Sequence, residues 1–461
     1  MKVQIETRDQ RYERGKALRK ERTRESLAVH KRRSSASIVL DLLHESNKDR
    51  LQALVPVRYG RMAQSPFHFY RGTALLQARD LMAGKSSGVV VQCCGDCHIM
   101  NFGGFATPER SLSFDINDFD ETFPAPFEWD LKRLTASIVV AGRYLGFADE
   151  DSTSAVHASV ESYREHMQAA SERTVLQNWY DRITLDMLLE IFGNDKDARS
   201  RLKRKQAEAQ TRTSESVFPK LTQVVDGLPR IIDEPPLIYH FQHQIKDLDK
   251  QRTRLLEEYR ASLVSDRRAL FDRYQIIDSA LKVVGVGSVG TRCMISLFLA
   301  DVDDPLFLQI KEARRSVLER PKGKSAYAHQ GERIVSGQRL MQAATDIFIG
   351  WTSTPNGRNY FVRQLRDQKV TAEPETFKKR TLEMYATLCG WALARAHAKA
   401  GDPSLIAGYV GNSSALDEAL AVYAVAYADQ VERDFTAFKR AIATGKLHTD
   451  ADEKKALEFS L

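Results

Sequence analysis

Apolar positions recur along this chain with two different periods, and the change between them divides it. Over residues 36–54 the apolar side chains Ile38, Val39, Leu42, Leu43, Leu51 and Leu54 fall on one stripe, which predicts an amphipathic helix. A turn-rich stretch, 56–62, precedes a predicted helix over 66–82 carrying Phe67, Phe69, Tyr70, Leu75 and Leu76. Val89, Val90 and Val91 stand between Gly88 and Gly95, the pattern of a short buried strand over 88–94, and 111–116 reads as another. Residues 131–144 place Leu131, Leu134, Ile138 and Val139 on one helical face. The helical period continues through 150–215, ends in a charged run over 195–212, is broken by prolines 219, 229, 235 and 236, and returns over 247–274.

From about residue 280 the texture changes. Residues 280–299 and 306–310 are rich in Val, Ile, Leu and Phe, with Gly and Asp303-Asp304-Pro305 as punctuation, so strands and turns are expected. A helix is predicted over 327–344, and a strand pair over 346–351 and 359–365 around Pro355-Asn356-Gly357. Helices return over 377–399 and 414–443, and no internal repeat is visible.

Composition alters this picture in two places. Five cysteines in 461 residues do not build a disulfide framework, and a reducing cytoplasm is the expected location. No apolar run reaches the roughly 18 residues of a membrane span, and the first residues lack a signal-peptide apolar region. The formal charge of +7 is concentrated at the start: residues 1–35 hold 12 Lys and Arg against 5 Asp and Glu, a balance of +7. Such a basic arm can touch nucleic acid or an anionic surface. Its arginines are laced with Glu13, Glu21 and Glu25, and Tyr12 is its one aromatic, so a solvated helix is the favoured reading and nucleic acid an unlikely partner.

The chemistry concentrates in Gly95-Asp96-Cys97-His98-Ile99-Met100-Asn101 and Asp115-Ile116-Asn117-Asp118-Phe119-Asp120. One carboxylate to orient an acceptor, with an amide and a second carboxylate to hold Mg²⁺, is the set that phosphoryl transfer requires. Asp115, Asp118 and Asp120 are expected on one face of an extended run, where their mutual repulsion calls for a cation. Asp130 reads as a helix N-cap. Cys94, Cys97 and His98 make only half of a zinc site, and His98 is expected to brace the loop. The His397 segment, Trp391 to His397, reads as core.

A second constellation lies downstream: Gly285-Val286-Gly287-Ser288-Val289-Gly290-Thr291, then Lys311 facing opposite to its apolar neighbours. A dinucleotide turn would open a helix at its third glycine. Residues 291–300 have strand character instead, which matches a glycine loop over phosphates followed by a phosphate-pairing lysine. A glycine-rich hairpin with an exposed lysine is the plain alternative. Lys311 needs an anionic partner, and Glu332 is the first candidate, with Glu319 second.

Several segments carry a resemblance. Arg58-Tyr59-Gly60-Arg61-Met62, Ser65-Pro66-Phe67, Phe69-Tyr70-Arg71-Gly72, Cys94-Gly95-Asp96-Cys97-His98, Asn101-Phe102-Gly103 and Asn117-Asp118-Phe119-Asp120-Glu121-Thr122 resemble a bacterial family called domain of unknown function 2252. Residues 284–291, Gly337-Gln338-Arg339 and Tyr427-Ala428-Asp429-Gln430 do so as well. More distantly, residues 95–101 are similar to the Gly-Asp-x-His-x-x-Asn catalytic loop of aminoglycoside and choline kinases, and Asp118-Phe119-Asp120 to their metal motif. The resemblance implies Asp96 as catalytic base, assisted by His98, with Asn101 and Asp118 as Mg²⁺ ligands, Asp120 as an accompanying acid and Asp130 as a structural brace. It implies ATP on Gly285, Gly287, Ser288, Gly290, Lys311 and Glu332. Asp115 remains a rival to Asp118.

The glycine loop follows the catalytic loop here, whereas kinases place it before. The expectation is therefore an α+β, two-lobed, kinase-like fold that is circularly permuted. Residues 1–35 form the arm, 36–275 a helical large lobe with an insertion at 145–270, 276–370 a β-rich small lobe, and 371–461 helices completing the large lobe. The expected activity is ATP- and Mg²⁺-dependent phosphotransfer to a small-molecule or protein hydroxyl. A silent nucleotide-binding regulator, a nucleotidyl transferase and a dinucleotide enzyme are the alternatives.

Overall fold

A computed structural model describes residues 5–33, 37–191, 196–211, 213–235, 237–240, 248–282, 287, 289–319, 325–365 and 369–450. Four long helices form the larger body: Glu128–Tyr144, Asp149–Glu172, Lys379–Ala400 and Ala415–Ala443. Glu128–Tyr144 lies at its centre, buried on every side from Glu128 to Gly142, well beyond the single apolar face expected. Short elements close the body on one side: Val55–Met62, Pro66–Arg71 and Ala74–Ala83. Residues 56–62, expected as turn, are helical, because Pro56 occupies the first turn, where its missing N–H costs nothing. The helix expected over 66–82 is two helices, parted at Gly72 and Thr73.

The smaller body is a six-stranded antiparallel sheet. Its strand order is Gly350–Ser353, Asn359–Gln364, Asp304–Glu312, Cys293–Asp301, Gln275–Lys282 and Ile238–Tyr239. The helix Gln330–Met341 packs on the first two of these strands. Apolar side chains such as Ile295, Leu297 and Phe307 are covered by Leu221, Ile231 and Leu237, and Phe298, Leu308 and Val362 by Tyr259, Leu263 and Phe271. The expected insertion therefore splits. Asp149–Glu172 packs on Lys379–Ala400 in the helical body, whereas Ser214–Leu221, Leu248–Ser262 and Ser265–Phe271 belong to the sheet. Helical periodicity marks a face to bury and leaves its partner unspecified.

The chain passes between the bodies beside the Asp96 loop. After Asn359–Gln364 it enters Val370–Thr371, which pairs with Phe102–Ala106 in a second sheet, Val370 opposite Gly104 and Thr371 opposite Gly103. A Cβ on Gly103 would stand 2.5 Å from the Val370 carbonyl oxygen, so this approach requires glycine.

The basic arm is docked. Arg8–Leu18 packs on Pro403–Val410, Arg19 Nε donates to the Tyr409 carbonyl at 2.8 Å, and Arg24 Nη1 to that of Val410 at 2.9 Å. Cations on the last carbonyls of a helix complement its dipole, so these charges serve the fold. Among the described residues, no helix is long and apolar enough to cross a membrane.

Candidate functional site

The strand Val90–Cys93 delivers the chain into a turn at Cys94, Gly95 and Asp96. Asp130 holds that turn: its carboxylate accepts the N–H of Cys94 at 2.8 Å and of Gly95 at 3.0 Å. The N-cap of Glu128–Tyr144 is Phe127, so Asp130 stands inside the first turn with its side chain directed to the loop, correcting the N-cap expectation. His397 backs the brace, its Nε2 3.3 Å from Asp130 and its Nδ1 3.0 Å from the Tyr163 hydroxyl. Gly95 has φ +89°, and a Cβ there would stand 2.2 Å from the Glu121 carbonyl oxygen.

Asp96 is oriented from two directions. Its Oδ1 accepts from Arg133 Nε at 2.8 Å, and its Oδ2 is 4.0 Å from His98 Nε2. Arg133 is itself fixed by Tyr70 O and Gln77 Oε1, with its guanidinium 3.8 Å above the Tyr70 ring. Asn101 Nδ2 donates to the Asp96 carbonyl at 2.6 Å, which leaves the amide oxygen on the other side of that group. Burial pushes His98 down to about 4 against the charge of Asp96. The ring is neutral at pH 7, and its Nδ1 accepts the Met100 N–H at 3.2 Å, which places the proton on Nε2.

The three carboxylates of 115–120 part company. Asp115 is fully buried, both its oxygens bound by Arg395 Nη2 at 2.7 and 2.8 Å, and Oδ2 also accepts the Ala343 N–H. It is committed to the core and is no rival to Asp118. Asp118 and Asp120 face the cleft between the bodies. Lys311 Nζ makes an ion pair with Asp120, and Asp118 Oδ1 accepts the Asp120 N–H at 3.1 Å. Burial penalises the Asp118 carboxylate, yet Lys311 and Arg363 hold it down to about 2. Burial and the charge of Asp118 raise Asp120, with Lys311 opposing. The two carboxylates are thus pushed in opposite directions around a shared cation.

Lys311 stands in Asp304–Glu312, opposite Cys293 on one neighbouring strand and Phe361 on the other, and is 4% exposed. Its ion-pair partner is Asp120, which takes the place expected for Glu332. Glu332 lies in the first turn of Gln330–Met341, where its N–H is accepted by His329 Nδ1 at 3.1 Å, and Glu319 pairs with Arg315. The adjacent Arg333 does the bracing instead, donating to the carbonyls of Thr122, Asp120 and Arg314. In the glycine turn, Gly287 lines the cleft and Gly290, at φ +85°, accepts the Leu51 N–H at 2.8 Å. Gly285 and Ser288 lie outside the described residues. The strand Cys293–Asp301 follows the turn, so the helix that a dinucleotide site demands is not formed.

Asp96, His98, Asn101, Asp118, Asp120 and Gly287 thus line one cavity of about 390 Å³. Its other wall contains Arg50, Arg58 and Arg71, to which the sequence reading gave no role although Arg58 and Arg71 stand in the segments that carried the resemblance. Glu121 was missed too: burial pushes it up to about 7, and its Oε2 accepts the Val317 N–H at 2.6 Å. Cys94, Cys97 and Asp130 bring ligand atoms within 4.8 Å of one another. Burial pushes both thiols up, Cys97 to about 12, and Asp130 is already engaged by two N–H groups, so this cluster suits a core better than zinc.

No curated protein and no solved structure matches the chain. A family described as an uncharacterized protein conserved in bacteria, DUF2252, matches residues 50–441, which hold every residue lining this cleft except Glu45 and Ser46. The match extends over most of the chain, and the protein belongs to the DUF2252 family.

Proposed function

We propose that the protein is an ATP- and Mg²⁺-dependent phosphotransferase acting on a hydroxyl of a small molecule or a protein. One observation carries the reading: Lys311, from the sheet, pairs with Asp120, which lines the same cavity as Asp96, Asn101, Asp118 and Gly287. The donor set fits Mg²⁺, since a strongly acidic carboxylate and an amide oxygen are hard ligands that leave room for water and phosphate oxygens. When bound, the ion neutralises charge between the phosphates. Lys311 meets phosphate oxygens from the sheet side. Asp96 presents Oδ2 to the acceptor, because Oδ1 is held by Arg133. The acceptor oxygen bonds to phosphorus, the bond to the bridging oxygen breaks, and the hydroxyl proton passes to Asp96.

The reading includes a circularly permuted, two-lobed kinase-like arrangement. It is supported by the order of elements: strand, glycine turn, strand, lysine strand, helix and hairpin, then Val370–Thr371 beside the strand that follows Asn101.

Incubation with labelled ATP tests the proposal. Transfer of γ-label to an acceptor or to the protein is the expected result. Transfer of α-label would make it a nucleotidyl transferase, and binding without transfer a regulator. Mg-ATP at 100 times its dissociation constant should stabilise the fold by about 2.7 kcal/mol. Asp118→Ala should remove the Mg²⁺ dependence of that effect. Asp96→Asn should bind normally and lose turnover by roughly 10² to 10⁴-fold. No stabilisation of the wild-type protein by Mg-ATP would end the reading.

A further inference from the structure

Three arginines, Arg50, Arg58 and Arg71, line the cleft, and none of them has an ion-pair partner among the described residues. Burial pushes each below its ordinary 12.5, Arg58 to about 10, because nearby charge does not offset the loss of water. Arg58 is 1% exposed and is aimed by Asn47 Oδ1 at 2.7 Å and the Gly72 carbonyl at 2.6 Å. Arg50 is aimed by the carbonyls of Ser46 and Val289. The Arg71 side chain lies over the Phe67 ring and makes no hydrogen bond among the described residues. The buried Nε atoms of Arg58 and Arg71 lack acceptors. A buried, unneutralised guanidinium is costly, and an oxyanion, carboxylate or phosphate, is the ligand its planar fork fits best.

The position of the cluster decides which anion. Lys311 and Arg363 act on Asp118 and Asp120, the side assigned above to the donor phosphates. Arg71 instead interacts with Asp96 and His98. We infer that Arg58 and Arg71, joined through Gly72, form an oxyanion subsite on the acceptor side of the cleft, with Arg50 standing at the glycine turn, so that the acceptor carries a phosphate or carboxylate of its own besides the hydroxyl it offers. The word acceptor rests on the phosphotransfer reading; the anion subsite does not.

The test uses the full-length protein with inorganic phosphate and with citrate as probes, without Mg²⁺ or nucleotide, read by calorimetry and melting temperature. The wild type should bind at least one of them, and the tighter probe tells phosphate from carboxylate. Arg71→Gln, which removes no hydrogen bond of the fold, should weaken that binding about tenfold or more and leave Mg-ATP affinity within about twofold. Arg71→Lys should fall between the two, since it keeps the charge without the fork. Lys311→Met should do the reverse, losing Mg-ATP and keeping the anion. The inference is overturned if the wild type binds neither probe, or if Arg71→Gln weakens Mg-ATP as much as the anion. Anion binding that depends on Arg71 in a protein that ignores Mg-ATP would retain the subsite and remove the phosphotransfer reading.

Discussion

Lys311 and Asp120 come from different bodies of the protein and close a single ion pair at the back of the cleft, with Asp118 beside it. The lysine offsets two carboxylates that would otherwise repel each other. Lys311→Met should therefore lower stability by about 1–3 kcal/mol, the cost of leaving buried polar groups without a partner. Added Mg²⁺ should restore more stability to this variant than it adds to the wild type, because a cation can take over the offset. Urea denaturation with and without Mg²⁺ measures both effects, and equal Mg²⁺ responses would deny the carboxylates a role as a cation site.

Asp115 and Arg395 should answer differently. Their pair is 0% and 1% exposed and lies in the core, away from the cleft carboxylates. Removing one partner, as in Asp115→Asn or Arg395→Met, should cost about 3–5 kcal/mol, since the other charge stays buried alone. Arg395 also leaves Nε and Nη1 without acceptors. The double variant Asp115→Leu with Arg395→Met should then recover most of the loss. Denaturation midpoints of the two single variants and the double variant form the test, and additive losses would contradict it.

Three histidines withdrawn from water, His98 buried and His30 and His68 half-buried, contribute to the acid sensitivity. Burial pushes His30, His68 and His98 from 6.5 down to about 4, helped at His30 by Arg33 and at His68 by Arg71, and opposed at His98 by Asp96. Each folded value lies below the unfolded one, so the unfolded chain takes up protons first. Their contribution is complete above about pH 6.5 and is lost as pH falls through about 4. At pH 5 the buried His98 should have given up about 2 kcal/mol, and the half-buried His30 and His68 less, because water screens them. Stability measured at pH 7 and pH 5 should drop accordingly, and His68→Asn should drop less. A wild-type profile that is flat between pH 7 and pH 5 would refute this.

The arm should behave as part of the fold. Arg19, Arg22 and Arg24 donate to backbone carbonyls of Tyr409, Ser87 and Val410. Replacing Arg19 and Arg24 together by Ala should destabilise the protein by about 1–2 kcal/mol. Duplex DNA at low salt should raise the melting temperature of neither the wild type nor the variant. A DNA-dependent shift in the wild type would restore the nucleic-acid reading of this segment.

Much of the architecture was legible. The hairpin that carries Lys311, the helix Gln330–Met341 and the Asp96 turn follow from alternation, glycine placement and helical stripes, all properties of neighbouring residues. The candidate residues Asp96, Asn101, Asp118 and Lys311 were named from spacing together with the resemblance to kinase motifs. Their supports were not: Arg133, Arg333 and Arg395 sit in ordinary-looking helices, and only packing reveals that they hold Asp96, the Asp120 turn and Asp115. Glu332 was expected beside Lys311, which pairs with Asp120 instead, because separation along the chain says little about direction in space.

By itself the sequence determined the kinds of element and the residue types able to do chemistry. Those depend on backbone propensity and side-chain period, which are decided within a few residues. Tertiary structure alone decided which carboxylate is a strut and which faces the cleft. Asp115 and Asp118 are three residues apart and chemically identical, yet one is sealed against Arg395 and the other held ionised by Lys311 and Arg363. Charge interactions fall with distance through space and grow with burial, and both are settled only when distant segments meet.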